Sequence, residues 1–360
     1  MAGIDQMNGN AGPNFKADNE AFEAWLRTQC KVVEDDLAFK HERMSKDAFT
    51  FLRATYFRWA RRIEAVCPEL AKARAVLSVG DTHIENFGTW RDADGRLVWG
   101  INDFDEAAVI PYPFDLVRLG ASARLAPQSM LDTGDAARAI ATGYRRGLEQ
   151  PRPTLLDEQN VWMRPFVVCS DADRAKFWNE VEAYPTVDPP ADAADCLRTS
   201  LPETATVERF VSRRKGGGGL GRPRYIAIAA WRGGRIVREA KALISSAWEW
   251  AHGDGAKTSA FLDLANGKFR SPDPFLRESA GFIVRRIAAD SRKIDLPDNA
   301  GAELNLKLLD AMGFDLGAIH GAGDPQAILK DLLSRPDEWL HDAAKAAAES
   351  VKQDFAEWHG

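Results

Sequence analysis

Apolar residues recur at helical spacing from Asn19 to about Ala73, first as Phe22, Trp25 and Leu26 and then as Phe51, Tyr56, Trp59, Ile63 and Val66. This predicts two or more helices. The preceding stretch, MAGIDQMNGNAGPNF, is rich in Asn, Gly and Pro, and residues 1–18 read as a flexible arm. Ala75–Val79 reads as a strand running into Gly80-Asp81. A hairpin follows, with arms Phe87–Trp90 and Arg96–Asp103 joined by the turn residues Asp92, Asp94 and Gly95. Helical spacing returns over Asp115–Leu125 and Ala136–Leu148. Pro111 and Pro113 open the first of these, with Asp115 as its N-cap or first-turn acid. The stretch Pro151–Pro202, with VDPPADAADC at its centre, is Pro- and Asp-rich and reads as an insertion or linker.

Beyond it the period falls to two. Thr206–Arg213, Arg224–Trp231 and Arg235–Lys241 predict a meander whose last two strands meet at Gly233-Gly234. Phe282–Ile287 adds a strand, and from Ala302 the pattern is helical to the end, through LLDAMGFDLGAIHG and an Ala-rich final helix. No internal repeat is visible.

Composition narrows the class. A chain of 360 residues has room for about two domains. With 45% hydrophobic and 28% charged residues, a disordered, collagenous or coiled-coil chain is excluded. A net charge of -6 is a poor match for a polyanion, so nucleic acid is not an expected partner. Cys30, Cys67, Cys169 and Cys196 lie far apart without a C-x-x-C pair and read as reduced thiols, not as a zinc cluster or a disulfide framework. The first residues lack a basic region followed by an apolar one, and no uncharged apolar run approaches the ~18 residues of a membrane span. The expected location is cytoplasmic, with no membrane partner.

Candidate chemistry lies in two places. In the first, a strand runs into Gly80-Asp81, Asn86 stands five positions after the aspartate, and Asp103 opens a D-F-D after the hairpin. Protein kinases space their catalytic-loop Asp and Asn in the same way, ahead of a D-F-G. One carboxylate must orient the attacking hydroxyl and accept its proton, while an amide oxygen and a second carboxylate hold Mg²⁺ against nucleotide phosphates. Those roles fall to Asp81, Asn86 and Asp103. His83 either takes part or braces the loop, and Asp105 and Glu106 are either site or surface acids. A competing reading takes G-D-x-H as the start of a binuclear metallophosphoesterase bridged by Asp81 and His83. It needs further ligands, and His41, His252, His320, His341 and His359 do not stand in a G-N-H context.

The second place is KGGGGLG, where Gly216, Gly218 and Gly221 fit G-x-G-x-x-G with Gly219 among them. The loop lies between two expected strands instead of opening a helix, which favours a kinase-type phosphate cover over a dinucleotide fingerprint. The strand RIVREAKAL then supplies a lysine. Alternation puts Val237, Glu239 and Lys241 on one face and Arg238 and Ala240 on the other. Lys241 is the expected phosphate cation, with Arg238 as the alternative and a solvated edge-strand lysine as the plain reading. Arg213, Arg214, Lys215, Arg222 and Arg224 form a local basic cluster, matching either a phosphate partner or a solvated loop.

The block GDTHIENFGTWRDADGRLVWGINDFDEAAVIPYPFDLVRLGASA resembles the bacterial family called domain of unknown function 2252, as do FKHERMSKDAFTFLRATY, GGGGLGRPRY and VREAKA, over about Val33 to His320. That family is similar to the aminoglycoside and choline kinase branch of the kinase-like fold, whose G-D-x-H-x-x-N and I-D-F segments match Gly80–Asn86 and Ile101–Phe104. Two departures stand out: Asp105 replaces the glycine of D-F-G, and Arg238-Glu239-Ala240 stands where many members carry K-E-A. Because the glycine loop follows the catalytic block instead of preceding it, the resemblance implies a circularly permuted chain. DLGAIHG is similar to the helix that leads into the catalytic loop of small-molecule kinases, yet no such loop follows it.

The implied fold is α+β, a permuted protein-kinase-like two-lobe fold. Residues 1–18 form an arm, and residues 19–204 a helical lobe with the catalytic loop and metal motif. Residues 205–290 form a small lobe with an antiparallel sheet and the glycine loop, and 291–360 a helical return to the large lobe. The implied function is an ATP- and Mg²⁺-dependent phosphotransferase with a nucleotide and an unidentified acceptor hydroxyl as partners. A nucleotide-binding pseudokinase and a kinase-fold nucleotidyltransferase are the alternatives.

Overall fold

The computed structural model describes residues 14–127, 131–253, 259–294 and 301–360. Four helices lead: α1 (Phe15–Gln29), α2 (Glu34–Met44), α3 (Ala48–Ala54) and α4 (Tyr56–Val66). Helix α1 starts inside the expected arm because Asn14 caps it, accepting from the Ala17 amide at 2.9 Å. Phe15 is buried against Phe51, Phe57 and Trp358, and the buried Asp18 pairs with Arg58 and Arg61. The remainder of the arm, residues 1–13, lies outside the described residues.

Strand β1 (Ala75–Ser78) is followed by the hairpin β2 (Phe87–Arg91) and β3 (Leu97–Ile101), whose turn is closed by Asp92 accepting from the Asp94 and Arg96 amides. A short strand, β4 (Ala108–Pro111), pairs antiparallel with β1 from Ala75↔Pro111 to Ser78↔Ala108. Its closing proline had marked it as a helix entry, and Pro ends a strand equally well where its missing N–H is not needed. Next come α5 (Pro113–Leu125) and α6 (Thr133–Glu149), then β5 (Thr154–Leu155) on the free edge of β3.

The stretch expected to be a linker is largely helical: α7 (Arg164–Val167), α8 (Asp171–Ala183) and α9 (Ala191–Ser200). Its prolines and acids start helices instead of preventing them. Ser170 and Asp173 form a capping box on α8, and Pro190 precedes α9.

The meander is β6 (Thr206–Ser212), β7 (Arg224–Trp231) and β8 (Gly234–Ala242). After α10 (Ala247–His252) and α11 (Phe261–Ala265), β9 (Arg277–Ser279) and β10 (Phe282–Arg286) complete an antiparallel sheet in the order β6-β7-β8-β10-β9. Strand alternation gives it two covered faces. Ala193, Cys196 and Leu197 of α9 pack on Ala227, Ala240, Ala242, Phe282 and Val284. Val181 of α8 packs on the other face with Ile226, Ile228 and Val237.

The chain ends in α12 (Gly301–His320), α13 (Pro325–Ser334) and α14 (Trp339–His359). Helices α6 and α12 meet backbone to backbone through glycines. A Cβ on Gly143 would lie 1.8 Å from the Asp310 carbonyl oxygen, and one on Gly313 2.1 Å from that of Ile140. Among the described residues no helix is long and apolar enough to cross a membrane.

Candidate functional site

After β1 the backbone turns at Gly80 into Asp81. Gly80 has φ +81°, and a Cβ there would sit 2.3 Å from the Glu106 carbonyl oxygen, so only glycine fits the turn. The turn is held from α5. The Asp115 carboxylate accepts from the Val79 amide at 2.8 Å and the Gly80 amide at 2.9 Å, and His320 of α12 lies 3.2 Å from it. Asp115 therefore fixes the loop before Asp81 and makes no cap bond to its own helix.

Asp81 is tied by one oxygen. Its Oδ1 accepts from Arg118 Nε at 2.8 Å, and the fully buried Arg118 also donates to the Leu52 carbonyl at 2.8 Å. Burial pushes the Asp81 carboxyl up against the opposing pull of Arg118. Two residues on, His83 is buried and accepts the Glu85 amide on Nδ1 at 3.2 Å. Burial, with the positive fields of Arg53, Arg118 and Lys293, holds its ring well below the ordinary value. A neutral His83 thus braces the turn Ile84–Asn86. Asn86 Nδ2 donates to the carbonyls of Asp81 and Asp103, both at 3.1 Å, so that of its amide atoms it is the oxygen that could ligate a cation.

Asp103 lies just past β3, whose end is fastened to α12. Asp315 accepts from the Ile101 amide at 2.8 Å and from Arg270 at 2.9 Å. The Asp103 side chain is 47% exposed and lies 3.9 Å from Lys241 Nζ. Burial opposes its charge, but the Lys241 ammonium, with Arg285, Arg224 and Arg222, holds its carboxyl below the usual range. Asp105, two residues on, is bound by Lys241 and by Arg222 at 3.2 Å. Glu106 accepts from Arg222 and from the Ala247 amide, both at 2.6 Å.

Lys241 reaches these acids from β8, 136 residues away from Asp105 in sequence. Arg238 does not. On the other face of the strand it donates to the Ser200 carbonyl at 3.3 Å and lies over the Phe275 ring at 4.2 Å. The glycine loop joins the antiparallel strands β6 and β7 and rests on the same acids. A Cβ on Gly218 would lie 3.4 Å from Asp81 Oδ2, and one on Gly219 would lie 3.1 Å from Lys241 Nζ. The loop is anchored at both ends on the segment around α2: the Gly216 carbonyl accepts from Arg43 at 2.9 Å and that of Gly221 from the Val33 amide at 2.9 Å.

The basic cluster around this loop is mostly neutralised within the protein. Arg213 and Arg224 pair with Glu239 at 3.1 and 3.2 Å, Arg214 with Asp36 at 2.6 Å and Lys215 with Glu180 at 3.7 Å. Arg222 alone of the five pairs with the site acids. Asp81, Asn86, Asp103, Asp105, Lys241, Gly218 and Gly219 are therefore brought together, and Arg238 is not. Arg118 and the tertiary role of Asp115 escaped the sequence pattern, and Arg222 stood out there only as one member of the basic cluster. The D-x-x-R of α5 is the only local trace of two of them, and helices carry that spacing commonly.

The donor set suits a hard divalent cation. Mg²⁺ takes one or two protein oxygens and completes its shell with water and phosphate, and the Asn86 amide oxygen and the Asp103 carboxylate supply two. Asp105, also expected among the ligands, is engaged by Lys241 and Arg222. Among the described residues no group of three or more His, Cys, Asp or Glu side chains is placed to hold a metal. Of the histidines a binuclear centre would draw on, His41 pairs with Glu23, His252 with Glu64, His320 with Tyr144 and Asp115, and His359 with Ser45.

Residues 32–181 match a family described as an uncharacterized protein conserved in bacteria, DUF2252. The match supports that family and contains Asp81, Asn86 and Asp103. It ends short of the expected His320, so the glycine loop and Lys241 lie beyond it. No curated protein and no solved structure matches the chain.

Proposed function

We propose that the chain is an ATP- and Mg²⁺-dependent phosphotransferase of permuted, kinase-like two-lobe architecture, transferring the γ-phosphoryl group to an acceptor hydroxyl. The observation that carries the reading is the convergence of two distant stretches of chain: a glycine loop between antiparallel strands and a lysine from the next strand lie against Asp81, Asp103 and Asp105. In this reading Asp81 Oδ2 faces the acceptor and takes its proton, while Arg118 fixes the carboxylate through Oδ1. Burial keeps that carboxyl more basic than an exposed one, as a proton acceptor requires.

Lys241 orients the phosphates, and Asp105 holds Lys241 in place as a helix glutamate holds the corresponding lysine in protein kinases. Asn86 and Asp103 would hold Mg²⁺, which neutralises charge developing on the phosphoryl oxygens. The glycine loop lies so close to Asp81 and Lys241 that it must lift for a triphosphate to enter and then cover it, a gating step common in such enzymes.

The test is mass spectrometry and ATP consumption on the protein with MgATP and a library of hydroxyl compounds. Phosphoryl gain on an acceptor supports the reading. Adenylyl gain, or ATP binding without any transfer, contradicts it in favour of nucleotidyl transfer or a pseudokinase. Removing a positioned base costs about 10² to 10⁴ in rate, so Asp81→Asn should silence transfer while leaving nucleotide binding in place.

A further inference from the structure

Three cations, Arg43, Arg53 and Lys293, gather around Glu85 in the turn that follows Asp81. Arg53 lies beside the site, since a Cβ on Gly218 would be 3.1 Å from the Arg53 carbonyl oxygen and 3.4 Å from Asp81 Oδ2. The Arg53 guanidinium pairs with Glu85 at 2.9 Å, and Lys293 Nζ reaches the same Glu85 oxygen at 2.8 Å. Arg43, from α2, meets a neutral partner, the Gly216 carbonyl. The neighbouring acid Asp47 is spent on capping α3, accepting from the Thr50 amide at 2.7 Å and its hydroxyl at 2.9 Å. Arg43, Arg53 and Lys293 thus all act on the Glu85 carboxylate, and Arg53 is also within reach of the charges of Asp81 and Asp47.

The hydrogen bonds of this cluster are also incomplete. The Nε groups of Arg43 and Arg53 are both buried without a partner. Buried N–H donors are rarely left unmet, and each such group calls for an acceptor in some state of the molecule. Two arginines and a lysine gathered about one carboxylate offer several N–H donors, a set that phosphate oxygens can match. The Gly216 carbonyl now occupies Arg43, so lifting the glycine loop frees that guanidinium at the moment the cleft opens.

We infer that Arg43, Arg53 and Lys293 form an anion subsite beside Asp81, and that the acceptor is a hydroxyl compound already carrying a phosphate group. The inference rests on the phosphotransferase reading for the word acceptor. The subsite itself is tested without turnover.

The probe is inorganic phosphate, titrated calorimetrically into the full chain and into three variants, with melting curves to check folding. Arg53→Gln should weaken phosphate binding roughly tenfold and the half-exposed Lys293→Gln roughly threefold, as loss of charge-assisted bonds at a buried and at a solvated position implies. The exposed control Lys307→Gln, which pairs only with Glu303 on α12 among the described contacts, should bind phosphate within about twofold of the parent. Binding unchanged in both Arg53→Gln and Lys293→Gln overturns the subsite, as does the absence of saturable binding. Acetate binding as tight as phosphate would overturn the assignment to a phosphate-bearing acceptor. MgATP stabilisation measured on the same samples separates the two claims. If MgATP stabilises the protein but Arg53 and Lys293 do not matter to phosphate, the subsite fails alone. If the phosphate pattern holds without any MgATP effect, the phosphotransferase reading fails alone.

Discussion

Lys40 offers the sharpest stability test in the molecule. It is 1% exposed, and its ammonium lies 5.6 Å from the Phe22 ring centre and 5.5 Å from that of Phe57. Burial pulls its pKa down to about 8, with Glu23 giving the largest opposing pull. Below that value Lys40 is charged in both the folded and the unfolded chain, and the folded state bears the whole desolvation cost. Between about 8 and the ordinary lysine value the unfolded chain keeps a proton the folded one has lost, so stability rises with pH across this window. The full span corresponds to roughly 3 kcal/mol, and the two aromatic faces return about 1 kcal/mol of it to the charged form. Lys40→Met keeps the apolar stem and fills the site with an adaptable side chain. Urea denaturation at pH 7 should therefore find the variant more stable by about 2 kcal/mol. The advantage should shrink from pH 8 upward and vanish near pH 10.5. Lys40 also helps hold the Glu23 carboxyl below its ordinary value, but Glu23 is ionised throughout this window, so its titration does not enter the difference. A gap that does not change with pH, or a variant less stable at pH 7, would refute the reasoning.

Two further outcomes follow from the packing and the site. Gly313→Ala places a methyl where the Ile140 carbonyl already stands and should cost about 2 to 4 kcal/mol in denaturant unfolding, and a loss below ~0.5 kcal/mol would mean that α6 and α12 are not in backbone contact. Arg118→Met strands the Asp81 carboxylate and should lower stability by about 3 kcal/mol at neutral pH. Adding Asp81→Asn should restore much of that loss, and additive losses in the double variant would show that the pair is not coupled.

The parts of the fold that were legible in the sequence are those governed by local periodicity. The alternation over Thr206–Arg213, Arg224–Trp231 and Arg235–Lys241 corresponds closely to β6, β7 and β8, and the D-A-D-G turn joins the β2–β3 hairpin as expected. What escaped depends on distant partners. The proline-rich stretch after α6 looks loop-like on its own, and α9 becomes a helix worth forming only because the sheet offers Ala227, Ala240 and Ala242 to cover. Strand β4 exists because β1 is beside it. In the site, Asp81, Asn86 and Asp103 announced themselves by spacing, whereas Arg118 had no local signal to separate it from other arginines and Arg222 stood out only as one of the basic cluster beside the glycine loop. The choice between Lys241 and Arg238 was framed correctly by strand alternation, since that period sends the two side chains to opposite faces of β8. The glycines of α6 and α12 stood in the sequence as paired G-x-x-x-G spacings, legible once the two helices are known to be neighbours.

The central claim is that Asp103 and Asn86 hold a metal that joins the protein to a nucleotide, and thermal unfolding with and without MgATP measures it directly. A ligand at a hundred times its dissociation constant stabilises a protein by about 2.7 kcal/mol. That order of stabilisation is expected for the parent chain with MgATP, with loss of most of its metal-dependent part in Asp103→Ala. A melting temperature unmoved by saturating MgATP, or an equal rise in Asp103→Ala, would contradict it.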